Sequence, residues 1–192
     1  YRFLDVMGPR VFNVPILLGL AYVGMAYVSW MVAIILLGSA APRGWRKVGV
    51  PLLGGLVMMA WDFAQDPVWS TLLHAWEWRD GGRWFGVPAS NFFGWFLTMA
   101  TIYLLFAAYL RRSPAHLPQR PARSLAVFFY AICAGGNVLQ MWVAQPVNWV
   151  SDATGVNWRV ADILRASALV SFFVMGGFAA VCEVRLARRA KG

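Results

Sequence analysis

The chain has 192 residues, 60% of them hydrophobic and 13% charged, with a formal net charge of +9. A soluble domain carries about 25% charged residues; the low charge, long apolar runs and mean hydropathy of +0.58 point instead to an integral membrane protein. The positive balance is not a nucleic-acid signal, because the basic residues collect in the loops between apolar runs, where membrane proteins carry them.

About 20 apolar residues span a bilayer, and five segments qualify. The chain opens on Tyr1 rather than Met, as a fragment or a trimmed chain would. The first span runs from Val14 to about Ala40, with Pro15 in its first turn. Val14–Leu37 is too long for the apolar core of a signal peptide and has no cleavage site. The second span is expected at about Val48 to Ala64, the third at Phe92 to Leu110, and the fourth at about Leu125 to Val147. The fifth runs from about Ala166 to Val184, and Ile163 and Leu164 could extend it. The fold class expected is all-α: a polytopic membrane helix bundle forming a single domain over 1–192.

Loop charges give an orientation. Arg43, Arg46 and Lys47, then Arg111, Arg112, Arg120 and Arg123, then Arg185, Arg188, Arg189 and Lys191 make 11 of the 17 basic residues. All fall on one side if the five spans alternate. The positive-inside rule then puts the C-terminus in the cytoplasm and the segment between the second and third spans at the outer face.

That segment, Trp61 to Trp95, holds six of the 11 tryptophans and four of the eight acidic residues. Carboxylates beside membrane helices are costly and usually have a task. Asp66-Pro67 reads as an N-cap with proline at the first helical position, so the second span should stop near Gln65. Val68, Trp69, Leu72, Leu73 and Trp76 then make one apolar face of a short amphipathic helix lying in the interface. Asp80-Gly81-Gly82 is a turn, and Ser90 or Asn91 should cap the third span.

A faint internal echo is present. Gly54-Gly55 with Trp61, Ala64-Gln65 and Pro67-Val68 resembles Gly135-Gly136 with Trp142, Ala144-Gln145 and Pro146-Val147. A parallel repeat of 48–110 and 125–184 would follow, and in it Asp62 corresponds to Val143.

Asp62 and Asp66 are four residues apart, roughly 6 Å along a helix axis. Two carboxyls on one face near apolar surface can hold different protonation states, one an acid and the other a base. The plainer alternative is that Asp66 only caps a helix and Asp62 pairs with Arg79 or Arg83. The tryptophans similarly fit either an aromatic belt at the membrane interface or the walls of a pocket able to steady a cation. His74 and His116 read as solvated residues. Asn137 and Gln140 should face other helices and could line the same cavity, Asp162 should pair with Arg165, and Gly54-Gly55 and Gly176-Gly177 should mark close packing. Cys133 and Cys182 lie inside apolar runs with no metal-ligand spacing, so neither a disulfide framework nor a metal site is expected.

Asp62-Phe-x-x-Asp66-Pro67, Trp76-Glu77-Trp78, Gly81-Gly82, Phe85-Gly86-Val87-Pro88, Asn91-Phe92 and Gly94-Trp95 together resemble the carotenoid biosynthesis membrane-protein family. That family includes the bisanhydrobacterioruberin and gamma-carotene C-1',2' hydratases. Tyr1, Asp5, Gly8-Pro9, Phe12 and Val14-Pro15 are similar to the family's opening, with Asn13 where the family has Gly. The resemblance covers about residues 1–110 well and the rest by hydropathy only; family members carry further helices before the position of Tyr1.

The resemblance implies hydration of the terminal double bond of a membrane-embedded acyclic carotenoid, giving a tertiary alcohol, with no metal or organic cofactor. On that reading Asp62 protonates C-2', and Asp66 or Glu77 orients and deprotonates the attacking water. The aromatic face of Trp61, Trp69, Trp78 or Trp95 steadies the cation, and Phe85, Asn91 and Asp5 join these tryptophans as candidate substrate contacts. The partners implied are the carotenoid, the lipid bilayer and other enzymes of the carotenoid pathway. Two alternatives come from other classes. Asp62-x-x-x-Asp66 is also similar to the aspartate motif of membrane prenyltransferases, which hold a magnesium diphosphate, although only one such motif exists and Pro67 follows it. A non-enzymatic carotenoid-binding or transport protein is the other.

Overall fold

The computed structural model describes residues 2–38, 44–112, 119–143 and 145–188. Tyr1, Ala40, Arg43, His116, Ala144, Arg189 and Lys191, named above, lie outside the described residues. Among the described residues, five helices are long and apolar enough to cross a membrane. They are α1 (Ile16–Leu37), α2 (Arg46–Pro67) with a π-helical turn Val68–Leu72, and α3 (Ala89–Arg112). Next comes α4 (Arg120–Leu139) with a 3-10 turn Gln140–Trp142. The fifth crossing, Val160–Arg188, is α5 (Val160–Val170) and α6 (Gly176–Arg188) joined by a π-helical turn Ser171–Met175. The fourth crossing therefore starts earlier and ends sooner than its hydropathy suggests, and the fifth is longer at both ends.

Helix α2 is central. Antiparallel packing against α1 is marked by Leu37 beside Gly49, Ala33 beside Gly54 and Tyr22 beside Asp62. Against α3 it is marked by Tyr103 beside Gly54 and Asn91 beside Asp66. A Cβ on Gly54 would come within 2.9 Å of the Tyr103 ring, and one on Gly55 within 3.1 Å of the Phe96 carbonyl oxygen. These two glycines are close-packing positions, as expected. Gly177 is not: a Cβ there would meet nothing within 4 Å.

The core between the helices holds Met31, Ile34, Ile35, Val57, Met58, Tyr130 and Met175. Its tyrosine hydroxyls are satisfied: Tyr130 Oη donates to the Val57 carbonyl at 3.0 Å, and Tyr103 Oη to the Ala26 carbonyl at 2.7 Å. Outward-facing Phe93, Leu97, Leu105, Phe128 and Phe172 are exposed, an apolar surface suited to lipid rather than water. With α1, α2 and α3 alternating, Arg46, Arg111, Arg112, Arg120, Arg123, Arg185 and Arg188 gather at one end of the bundle, away from Asp62 and Asp66.

The other end is closed by short strands. Strand β1 (Arg2–Phe3) pairs antiparallel with β4 (Trp76–Glu77), with Phe3 opposite Trp76. Strands β2 (Arg10–Val11) and β3 (Val14–Pro15) form a hairpin leading into α1. Its two-residue turn places Phe12 at φ 49° and Asn13 at φ 67°, the left-handed geometry such turns require. Gly and Asn are the residues that adopt it most readily, which accounts for Asn13 where the resemblance expects Gly. Strands β5 (Trp149–Ser151) and β6 (Asn157–Arg159) form a second hairpin before α5.

The Asp66-Pro67 reading is overturned. Helix α2 runs through Asp66 to Pro67 and continues into the π-helical turn. Proline inside a helix frees the carbonyl four residues back, here that of Phe63. Trp84 Nε1 donates to that carbonyl at 3.1 Å, and its ring stacks on Phe63 with centroids 4.4 Å apart. An indole brought in from the following loop thus replaces the missing backbone donor. The separate amphipathic interfacial helix is absent among the described residues: Val68–Leu72 belongs to the end of α2, and Trp76 lies in β4.

Candidate active site

The last turns of α2 place Asp62 and Asp66 one above the other, as residues four apart on a helix must be. Both carboxyls are buried, 3% and 2% exposed. Asn91, in the first turn of α3, reaches across to them: its Nδ2 donates to Asp62 Oδ2 at 3.0 Å and to Asp66 Oδ2 at 2.6 Å. One amide nitrogen has two hydrogens, so a single side chain bridges the pair. Neither Ser90 nor Asn91 is the helix cap, because α3 already begins at Ala89.

The remaining oxygens are also held. Tyr22 Oη, from α1, lies 3.3 Å from Asp62 Oδ1. Trp76 Nε1 donates to Asp66 Oδ1 at 2.8 Å, and Trp78 Nε1 to the same oxygen at 3.4 Å. Strand alternation explains the second pair: Trp76 and Trp78 are two apart and point to one face. Among the described residues, the ion pairs are Arg10 with Asp5 and Arg165 with Asp162. Neither Arg79 nor Arg83 pairs with Asp62, so the buried carboxyls stand without a basic partner. That is an expensive arrangement for two charges.

Two clefts meet at the pair. The larger, about 590 Å³, is lined by Asp66, Trp78, Ser90, Asn91, Trp95 and Thr98, among others. The smaller, about 260 Å³, is lined by Trp61, Asp62, Asp66, Trp69 and apolar residues of α1 and α4. Tyr22 lines both. Its ring stacks on Trp95, with centroids 4.3 Å apart and planes within 7°, and meets Trp61 edge-on at 5.5 Å.

The residues singled out in the sequence thus divide. Asp62, Asp66, Asn91, Trp61, Trp69, Trp78 and Trp95 come together at the carboxyl pair and its clefts. Glu77 does not: it is half-buried, alternates away from Trp76 and Trp78, and lines neither cleft. Phe85 does not either; at φ 50° it turns toward the cluster of Val68, Ile163, Leu164 and Trp158. Asp5 is fully exposed and holds Arg10 at 2.8 Å. Asp162 pairs with Arg165 at 3.6 Å, as expected. Asn137 donates to Ser171 Oγ at 2.8 Å, so it does face another helix, but it lines neither cleft. His74 is exposed, as read. Tyr22 and the Trp76 donor are the site residues the sequence reading missed. The distance that brings Tyr22 in, 40 residues before Asp62, leaves no local pattern.

Below the site, the loop from Trp78 to Pro88 needs its glycines. A Cβ on Gly82 would run into the Val87 carbonyl, and one on Gly86 would sit 2.8 Å from the Asp152 Cβ. Thr71 Oγ1 donates to the Phe85 carbonyl at 2.6 Å, fastening this loop to the end of α2. Asp152 in turn organises the β5–β6 hairpin, accepting from Thr154 N, Thr154 Oγ1, Val156 N and Trp158 Nε1.

A family model described as carotenoid biosynthesis protein matches residues 1–158 of the chain. No curated protein and no solved structure matches it.

Proposed function

The chain belongs to the carotenoid biosynthesis protein family, and on that premise we propose that it is a hydratase adding water to the terminal C-1',2' double bond of an acyclic carotenoid. The observation that carries the reading is the buried Asp62–Asp66 pair, bridged by Asn91 and without a basic partner among the described residues. Such a pair holds a proton in an apolar setting, ready for delivery to an alkene.

The steps balance with these residues alone. The double bond takes the proton of Asp62 at C-2', leaving a tertiary cation at C-1'. A water oxygen bonds to C-1', and one of its protons passes to the Asp66 carboxylate. That proton returns along the pair to Asp62, so the enzyme is regenerated and the product is heavier by one water. A carboxylic acid is weak for alkene protonation, so cation stabilisation must carry much of the barrier. The faces of Trp61 and Trp69 beside Asp62 supply it.

The diphosphate-binding alternative is less well supported. A magnesium diphosphate needs cationic side chains around it, and among the described residues neither cleft is lined by Lys or Arg. The gathering of Arg46, Arg111, Arg120 and Arg185 at the far end of the bundle supports a cytoplasmic placement for that end and an outer-face placement for the carboxyl pair. At such a depth lipid supplies the polyene and the aqueous layer supplies water.

The test is expression in a host that makes an acyclic carotenoid, with pigments analysed by chromatography and mass spectrometry. Appearance of a hydroxycarotenoid heavier by one water is the expected outcome; an unchanged pigment profile with the protein present in the membrane contradicts it.

A further inference from the structure

We infer that the two clefts divide the reactants: the smaller seats the hydrocarbon end group against Asp62, and the larger brings water to Asp66. The inference rests on the hydratase reading above and assigns the sides of that same site.

The linings differ in chemistry. Apart from Asp62, Gln65 and Asp66 at one end, the smaller cleft is walled by side chains such as Leu17, Ala21, Met25, Phe129 and Cys133. Gln65 is turned to Trp69, whose Nε1 donates to Gln65 Oε1 at 3.2 Å. Its α1 wall extends from Leu17 to Met25, about 12 Å along the helix axis, with Tyr22, beside Asp62, within that run, so the cleft follows the half of a hydrocarbon layer of about 30 Å in which the carboxyls lie. An alkyl terminus would meet only apolar surface there until it reached Asp62. The larger cleft also has apolar and aromatic walls, from Phe3, Val14, Leu18 and Trp95, but it adds the hydroxyls of Ser90 and Thr98, which the smaller cleft lacks. Hydrocarbon in it would strip water from those polar groups without replacing it, which is unfavourable; water in it would not.

The partition is a wall of rings. Tyr22, stacked on Trp95 and edge-on to Trp61, faces both clefts, as does Trp76. Asp62 lines the smaller cleft, Asn91 the larger, and Asp66 both. The proton therefore leaves from the hydrocarbon side, and the carboxylate that reaches both sides receives one proton from the incoming water.

Cys133 gives a reporter that needs no turnover. It is half-buried in the smaller cleft, while Cys182 is buried in the core. The full chain in phosphatidylcholine nanodiscs is treated with N-ethylmaleimide with and without lycopene as the acyclic polyene probe, and modification of each cysteine is followed by peptide mass spectrometry. Lycopene should slow modification of Cys133 several-fold and leave that of Thr98→Cys, in the larger cleft, unchanged. Protection of Thr98→Cys without protection of Cys133, or protection of neither, overturns the assignment. A second pair of variants checks it independently. Ala21→Leu should weaken lycopene binding, read by quenching of tryptophan fluorescence. Gly94→Leu, at a position where a Cβ meets nothing within 4 Å, should keep binding and lower water addition. The reverse pattern overturns the assignment. Protection at Cys133 in a protein that adds no water keeps the hydrocarbon seat and overturns the hydratase reading alone.

Discussion

Asn91 Nδ2 lies 2.6 Å from Asp66 Oδ2, the shortest link between α3 and the buried carboxyls of α2. Because the same nitrogen also donates to Asp62, Asn91 sets the spacing of the pair and supplies donors to both. Asn91→Leu keeps the size of the side chain and removes both donors. The loss of one buried hydrogen bond leaves an unsatisfied group at a cost of about 1–3 kcal/mol. The variant should unfold at lower temperature in detergent and form hydroxycarotenoid at least about tenfold more slowly, since a misplaced general acid loses much of its about 100-fold or greater contribution. Wild-type conversion in membranes containing Asn91→Leu would remove Asn91 from the site.

Trp84 and Pro67 should be energetically coupled through the Phe63 carbonyl. Trp84→Phe keeps a ring against Phe63 and loses the donor, at a cost of about 1 kcal/mol. Pro67→Ala restores a backbone donor to the same oxygen. The cost of Trp84→Phe should then fall by more than half in the Pro67→Ala background, as a double-mutant cycle of unfolding free energies in detergent would measure. Additive costs would mean that the indole does not replace the missing donor.

Much of this arrangement follows from the sequence, and the misses have physical causes. Apolar runs located all five crossings, because a bilayer tolerates little else. The carboxyl pair was visible as two acids one helical turn apart. The end of α2 was misread because Asp-Pro looks the same whether it opens a helix or lies near the end of one. What decides is a donor from Trp84, 21 residues from Phe63. The short interfacial helix was misread because Val68, Leu72 and Trp76 have helical spacing, while Trp76 is captured by a strand pairing with Phe3, far away in sequence. Glu77 fell on the wrong side because that pairing sets the alternation. Tyr22 was silent, one aromatic residue in an apolar helix until folding sets it beside Asp62.

Gly82 and Gly94 should respond oppositely to the same substitution. Gly82→Ala drives a Cβ into the Val87 backbone, whereas a Cβ on Gly94 meets nothing within 4 Å. Gly82→Ala should abolish accumulation of folded protein in the membrane, and Gly94→Ala should leave stability within about 0.5 kcal/mol of wild type. Fluorescence-detected size-exclusion chromatography separates the two outcomes; equal behaviour would contradict the loop geometry.

Asp152 should give the β5–β6 hairpin a pH-dependent stability. Burial alone would raise its pKa, but hydrogen bonds from Thr154, Trp158 and Val156 outweigh it and hold the carboxyl below its ordinary value of 3.8. A lowered folded-state pKa contributes stability that is fully present above the unfolded value and is lost as pH falls through the folded one. Wild type should therefore exceed Asp152→Asn in unfolding temperature at neutral pH, modestly because the carboxyl is largely solvated. The gap should close as pH drops below the ordinary carboxylate range. A gap that widens in acid would reverse the sign of the argument.

The carboxyl pair is where the account stands or falls. Wild type, Asp62→Asn and Asp66→Asn are expressed at matched membrane levels in a host making an acyclic carotenoid, and the pigments are quantified by chromatography with mass detection. The account predicts a hydroxycarotenoid heavier by one water from wild type and at least about 100-fold less from each variant, the scale of a lost general acid or base. Wild-type yields of that product from both variants would contradict it.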